Sequence, residues 1–363
     1  MGTGAFKARP GDSAARYVAE EASNASQEAL TDAFTELSDS ERQRVMEALQ
    51  SVNMSKATPS KAAAPAAPSE KKSANPLGLD FSCFGTKRTP IPETARRGMK
   101  PHQFLAIKVF IETHADESGV LLRWVDWNGA PNHKDSLNLY DLVKYVVNPA
   151  TAPHKCSFVE LLTPEGAEGT ATPQWFVSHW WGEPVLDFIK CTEKHAQVRE
   201  LGEGACYWVC AYANNQHELG KDIGSDPRES SFYQALALCD GVLVVLDAKA
   251  TPFTRIWCAF EEATAVTMDD AARPGKGHFL LDIATVPSGN PEKAELLTDG
   301  LSPQEQEMEA QYKGYGRWKL IQGYGESGWL AKSQREQRFP IGVVYEALQK
   351  ICVLNADASK KED

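Results

Sequence analysis

Between Trp175 and Ile283 short apolar runs rich in branched or aromatic side chains alternate with amphipathic stretches of helical period. Such alternation restricts the segment to a parallel sheet covered by helices. Trp175-Phe176-Val177 reads as the first strand, Tyr207 to Ala211 as the second, Val242 to Leu246 as the third, and His278 to Ile283 as a fourth. The unbroken run Val242 to Leu246 has the character of a central strand buried on both faces. Between them, Pro184 opens a helix with Val185, Phe188, Ile189 and Ala196 on its apolar face. Asp226-Pro227-Arg228-Glu229 has the form of a helix start and leads to a stripe of Phe232, Leu236 and Cys239. Arg255 to about Met268 reads as a helix burying Ile256, Trp257, Phe260 and Ala263. The expected class is α/β, a parallel sheet flanked by helices, with a helical N-terminal extension and a helical C-terminal region.

The rest of the chain divides around this core. Val52 to Pro76 is almost wholly Ala, Pro, Ser and Lys, too poor in apolar residues to repay the entropy of ordering, so 51–79 reads as a disordered linker. Ahead of it, residues 1–50 carry Leu30, Phe34 and Leu37, then Val45, Met46 and Leu49 after a Ser38-Asp39-Ser40-Glu41 cap, which suggests two helices. Residues 80–170 read as an elaboration in front of the core, with short elements over Pro101 to Thr113 and Leu121 to Trp127 and a helix over Leu137 to Val147. The α/β domain is placed at 171–290, its helical C-terminal part at 291–354 and a tail at 355–363.

Composition excludes several functions. With 49 acidic against 38 basic residues the net charge is -11, which leaves no surplus to neutralise a phosphate backbone, so nucleic acid is not an expected partner. No apolar run approaches the roughly 18 residues of a membrane span. The eight cysteines include no CxxC pair and lie mostly in apolar segments, as reduced core thiols do, and the N-terminus has no cationic, apolar leader. A cytoplasmic protein without a membrane partner is expected. No metal-ligand spacing occurs, Gly275-Lys276-Gly277 is not a phosphate loop, and no required cofactor is read.

Ligands of an open parallel sheet collect beyond the carboxyl ends of its strands. There the sequence places Ser178, His179, Trp180, Trp181 and Gly182 after the first strand, Asn214, Asn215 and Gln216 after the second, and Asp247 after the third, with Arg255 opening the next helix. Phe176-Val177-Ser178-His179 resembles the opening strand of Toll/interleukin-receptor (TIR) domains, and Trp257-Cys258-Ala259-Phe260-Glu261 is similar to their late-helix Trp-Cys-x-x-Glu signature. Val177 to Gly182 resembles the Leu-Ser-Tyr-x-Trp-Gly box of the heterokaryon-incompatibility (HET) domain. Trp208 to Gln216 resembles its Trp-Ile-Asp-x-x-Cys-Ile-Asn-Gln box, with Cys210 at the Asp position.

The resemblance implies a flavodoxin-like fold and a role in intracellular signalling, either by self-association and docking of protein partners or by hydrolysing NAD at its nicotinamide–ribose bond. NAD is then a substrate or ligand, and Glu229 stands at about the place of the catalytic carboxylate. A fixed carboxylate there stabilises the oxocarbenium-like ribose without a metal. The residues themselves leave two readings open. Glu229 also suits a helix start, and Trp257, Cys258 and Phe260 also suit a core-facing stripe, with Glu261 a buried partner and Glu262 a solvated neighbour.

Overall fold

In a computed structural model, residues 75, 77–126, 128–218, 230–267, 275–314 and 325–348 are described. The predicted N-terminal helices, most of the linker, Trp127, the Asp226 to Glu229 segment and the C-terminal tail lie outside them. The described residues belong to one unit, Lys72–Asp363.

Every residue of strand β5 (Gly241–Leu246) is buried, as its branched composition requires. It lies at the centre of a five-stranded sheet with β3 (Trp175–His179), β4 (Tyr207–Trp208), β6 (Leu280–Thr285) and β7 (Glu295–Leu297), in the order β4-β3-β5-β6-β7. The first four run parallel, and β7 closes the sheet antiparallel to β6. Counted along the chain the order is 2-1-3-4-5, the doubly wound order whose direction of winding reverses between the first and third strands, here β3 and β5. A separate hairpin-like pair, β1 (Val120–Val125) and β2 (Pro131–His133), stands apart from this sheet.

Alternate residues of β3 and β5 feed two apolar layers, because side chains along a strand point to opposite faces. Trp175, Val177, Leu243 and Val245 join one cluster with Phe104, Ile107, Phe188 and Ile189. These come from helices α1 (Pro101–His114) and α5 (Val185–Val198). Phe176, Val242, Val244 and Leu246 join a second cluster with Ala235, Leu236 and Ala265, which lie on α7 (Ser231–Leu238) and α8 (Ile256–Thr267). Each such side chain contributes roughly 1.5–3 kcal/mol on leaving water. The region before the core thereby completes the first layer. It also covers the sheet edge: Met99 and Tyr207 exchange backbone hydrogen bonds of 2.6 and 2.8 Å, so β4 presents no open ladder on that side.

The remaining helices are short. α2 (Leu139–Leu142) continues through a π-helical turn, Val143–Val147, into α3 (Asn148–Thr151), and α4 (Phe158–Leu162) is closed by a Ser157–Glu160 capping box. α6 (Cys210–Ala213) follows β4, and α9 (Pro303–Gly314), α10 (Gly328–Glu336) and α11 (Ile341–Leu348) form the C-terminal part.

Several expected elements differ, and the region 291–354, expected to be helical, also supplies strand β7 to the sheet. The strand foreseen over Tyr207 to Ala211 ends at Trp208, because Cys210 to Ala213 coil into α6. The helix foreseen from Asp226 does not run through to Cys239: the chain is extended at Ser230, whose hydroxyl accepts from Tyr233 N and starts α7 afresh. On α8 the buried residues include Cys258, Glu261 and Ala265, whereas Phe260 is half-buried and Ala263 exposed, so a carboxylate occupies the face expected to be apolar.

Candidate functional site

Because β4, β3 and β5 are parallel neighbours, their carboxyl ends share one edge of the sheet. The loop leaving β3 is clamped there by the preceding region: Leu139 N donates to Trp181 O at 2.9 Å and Val185 N to Leu137 O at 2.8 Å. Trp181 is packed against the Tyr140 ring, 5.4 Å between centroids, and its indole N–H donates to Cys210 Sγ at 3.1 Å. Trp180 remains half-buried and folds back over Gly182, where a Cβ would meet its ring carbons at 2.2–2.6 Å. Glycine at 182 is thus a condition of the Trp180 position.

The loop leaving β5 is held by Asp247. Its carboxylate accepts from Thr251 N at 2.6 Å and from the Thr251 hydroxyl at 2.7 Å, and Ala250 N donates to Asp247 O at 3.0 Å. Ala250, fully buried, takes φ 50° and ψ 43°, a left-handed conformation that costs a non-glycine residue on the order of 1 kcal/mol. Beyond this loop α8 begins, and Cys258 Sγ lies 3.5 Å from His179 O. The amino end of α8 therefore abuts the carboxyl end of β3, beside the β3/β5 switch point.

Below this rim is a buried polar cluster. His179 Nδ1 and Glu183 Oε1 share a 3.0 Å hydrogen bond, and both side chains are almost fully enclosed. Burial, with the Asp247 and Asp187 charges, raises the Glu183 pKa well above the ordinary carboxyl value. On the opposite face of β3, Ser178 Oγ is buried without a hydrogen bond of normal geometry, close to the Cys258 thiol and the Glu261 carboxyl. Burial pushes the carboxyls of Glu261 and Glu262 up to about 8, and burial together with those two acids raises the Cys258 thiol further. The thiol is thus a poor nucleophile, since the thiolate is the reactive form. Glu262, expected to be a solvated neighbour, is half-buried with Oε1 unpaired, because α8 tucks this turn against the sheet.

The expected ligand residues are in different situations. Ser178, His179 and Asn214 are buried, and Asn214 Oδ1 accepts from the Ser231 hydroxyl at 2.9 Å. Asn215 Nδ2 donates to Lys155 O and Gln216 Nε2 to Ala211 O, both at 2.9 Å, so Asn215 ties the loop to the α3–α4 connection and Gln216 braces it on α6. Trp180, Trp181, Gly182, Asp247 and Arg255 are half-buried. Glu229 lies outside the described residues.

A second polar network escaped the sequence reading. Asp282, at the middle of β6, accepts both Arg199 Nε at 2.7 Å and Nη2 at 2.6 Å, and it shares a 3.1 Å bond with His195 Nε2. His195 Nδ1 in turn shares a 2.8 Å bond with the Tyr207 hydroxyl. Burial opposes the Asp282 charge, but the His195 and Arg199 bonds outweigh it and hold its pKa below the usual carboxylate value. Every partner is internal, so this network locks α5 onto β4 and β6. Among the described residues no group of three or more His, Cys, Asp or Glu is arranged to hold a metal ion, and no helix is long and apolar enough to cross a membrane. No protein-family model, curated protein or solved structure matches the chain.

Proposed function

We propose that this chain is a TIR/HET-like signalling protein of flavodoxin-like topology whose β3/β5 rim binds a nucleotide such as NAD. The observation that supports this reading is the meeting of the α8 amino end with the carboxyl end of β3 at the switch point, marked by the Cys258–His179 contact. Amide groups at a helix start favour the phosphates of such a ligand. Trp180 offers a flat apolar surface for a base or nicotinamide ring, and Arg255 brings a cation to the start of α8. The buried acids Glu183 and Glu261 support the rim in this reading, whereas Glu229 is the carboxylate assigned to cleavage of the nicotinamide–ribose bond. Incubating the full chain with NAD and following nicotinamide release tests the catalytic part. Turnover lost in Glu229→Ala supports it, and turnover unchanged in that variant removes Glu229 from the mechanism.

A second reading is a non-catalytic module that self-associates or docks protein partners. It is favoured by large apolar side chains left in solvent on α10 and α11: Trp329, Leu330, Ile341 and Tyr345 are each at least 50% exposed. Light scattering across a concentration series distinguishes the two. Assembly without nucleotide turnover supports the module, and a monomer at all concentrations contradicts self-association.

A further inference from the structure

A cavity of about 330 Å³ lies where α5, the start of β7 and the end of α10 come together, and four cationic side chains line it: Lys194, Lys293, Arg335 and Arg338. This is the size of a small-molecule site rather than a surface dimple. In a protein of net charge -11, cations usually find carboxylates, and Arg335 does: it donates to both Glu305 oxygens at 2.8 and 3.1 Å and to the Thr298 hydroxyl at 2.8 Å. Among the described residues Lys194, Lys293 and Arg338 find no side-chain hydrogen bond or ion pair, though each borders the same space. Glu295, in the wall, offsets one of these charges and leaves a positive excess. Like charges gathered at one opening repel one another even where water screens them, and a multiply charged anion relieves that repulsion.

We propose that this pocket binds a small oligophosphate anion. Lys194, Lys293 and Arg338 are its charge contacts, and Arg335, fixed by Glu305 and Thr298, is a rigid wall. The amides of Gln334 and Gln337 add neutral donors at the mouth. A small open pocket with point cations suits a compact ligand; a nucleic-acid backbone needs a basic stripe across the surface. The site lies against β7, separated from the β3/β5 rim by β6, and does not depend on the nucleotide reading of that rim.

Calorimetric titration of the full chain with tripolyphosphate tests the proposal. Saturable binding at a single site is expected, weakened at least tenfold in a Lys194→Gln, Lys293→Gln, Arg338→Gln variant and unchanged in Trp180→Ala. Circular dichroism and melting temperature, unchanged in the triple variant without ligand, establish that it folds. Should the triple variant melt early, the exposed pair Lys293→Gln, Arg338→Gln is used instead, with a loss of at least fivefold expected. No saturable binding, binding unaffected by the substitutions, or equal affinity for sulfate at matched ionic strength overturns the proposal.

Discussion

His179 Nδ1 lies 3.0 Å from Glu183 Oε1 in a setting closed to water, so the last residue of β3 is fastened to the loop that follows it. Among the described residues His179 Nε2 has no hydrogen-bond partner, which leaves this one bond to satisfy the ring. Glu183→Ala removes it and strands a buried imidazole, at an expected cost of about 1–3 kcal/mol. Glu183→Gln keeps a polar partner at the same reach and loses less. Chemical denaturation of the two variants checks the order, and equal losses contradict the role given to the bond.

Glu261 carries a second expectation, in its pH dependence. Its folded pKa of about 8 lies above the ordinary 4.5, so the folded state keeps a proton that the unfolded chain releases. The native state is therefore favoured at low pH, and stability falls as pH rises from about 4.5 to about 8. Glu262, raised to the same value by burial, adds to the trend. Glu261→Gln removes the penalty. It raises stability by on the order of 4 kcal/mol at pH 7.5 and by little at pH 4.5. Denaturation midpoints at the two pH values measure this difference, and a gain equal at both contradicts it.

Asp282 behaves in the opposite sense. Its lowered pKa means that stability is present above the unfolded value near 3.8 and is lost as pH falls through the folded one. Asp282→Asn leaves Arg199 buried without its counter-charge and removes the carboxylate partner of His195. A loss of about 3–5 kcal/mol is expected in urea denaturation at pH 7. A loss below about 1 kcal/mol contradicts a paired, buried network.

The Asp247 loop stores strain at Ala250, which adopts a left-handed backbone. Glycine takes that conformation without steric cost, so Ala250→Gly raises stability by up to about 1 kcal/mol. A melting temperature lowered by the substitution shows that the Ala250 methyl packing outweighs the strain.

Much of the sheet was legible because its signals are local. Val242 to Leu246 declares a central strand by composition alone, and Pro184 marks the α5 start together with Val185, Phe188 and Ile189. Cys210 to Ala213 misled because a short apolar run has no period long enough to separate strand from helix. On α8 the hydropathy pattern points to Phe260 and Ala263 as core in place of Ala265, since a carboxylate, Glu261, within the buried face breaks the apolar stripe. The Asp282 network had no sequence signal at all: His195 and Arg199 lie 87 and 83 residues from it and meet it only through the winding of the sheet. At the rim, Trp180 and Trp181 read alike in sequence, and only the Cys210 and Tyr140 contacts show that Trp181 is a strut.

In the proposed nucleotide site at the β3/β5 rim, Trp180 is the stacking surface. Calorimetric titration of NAD into the full chain and into its Trp180→Ala variant tests it most directly. Saturable binding to the unmodified chain is expected, with a loss of at least tenfold, about 1.4 kcal/mol, in the variant, whose melting temperature without ligand stays the same. Absence of saturable binding up to about 1 mM NAD, or equal affinity in both proteins, contradicts it.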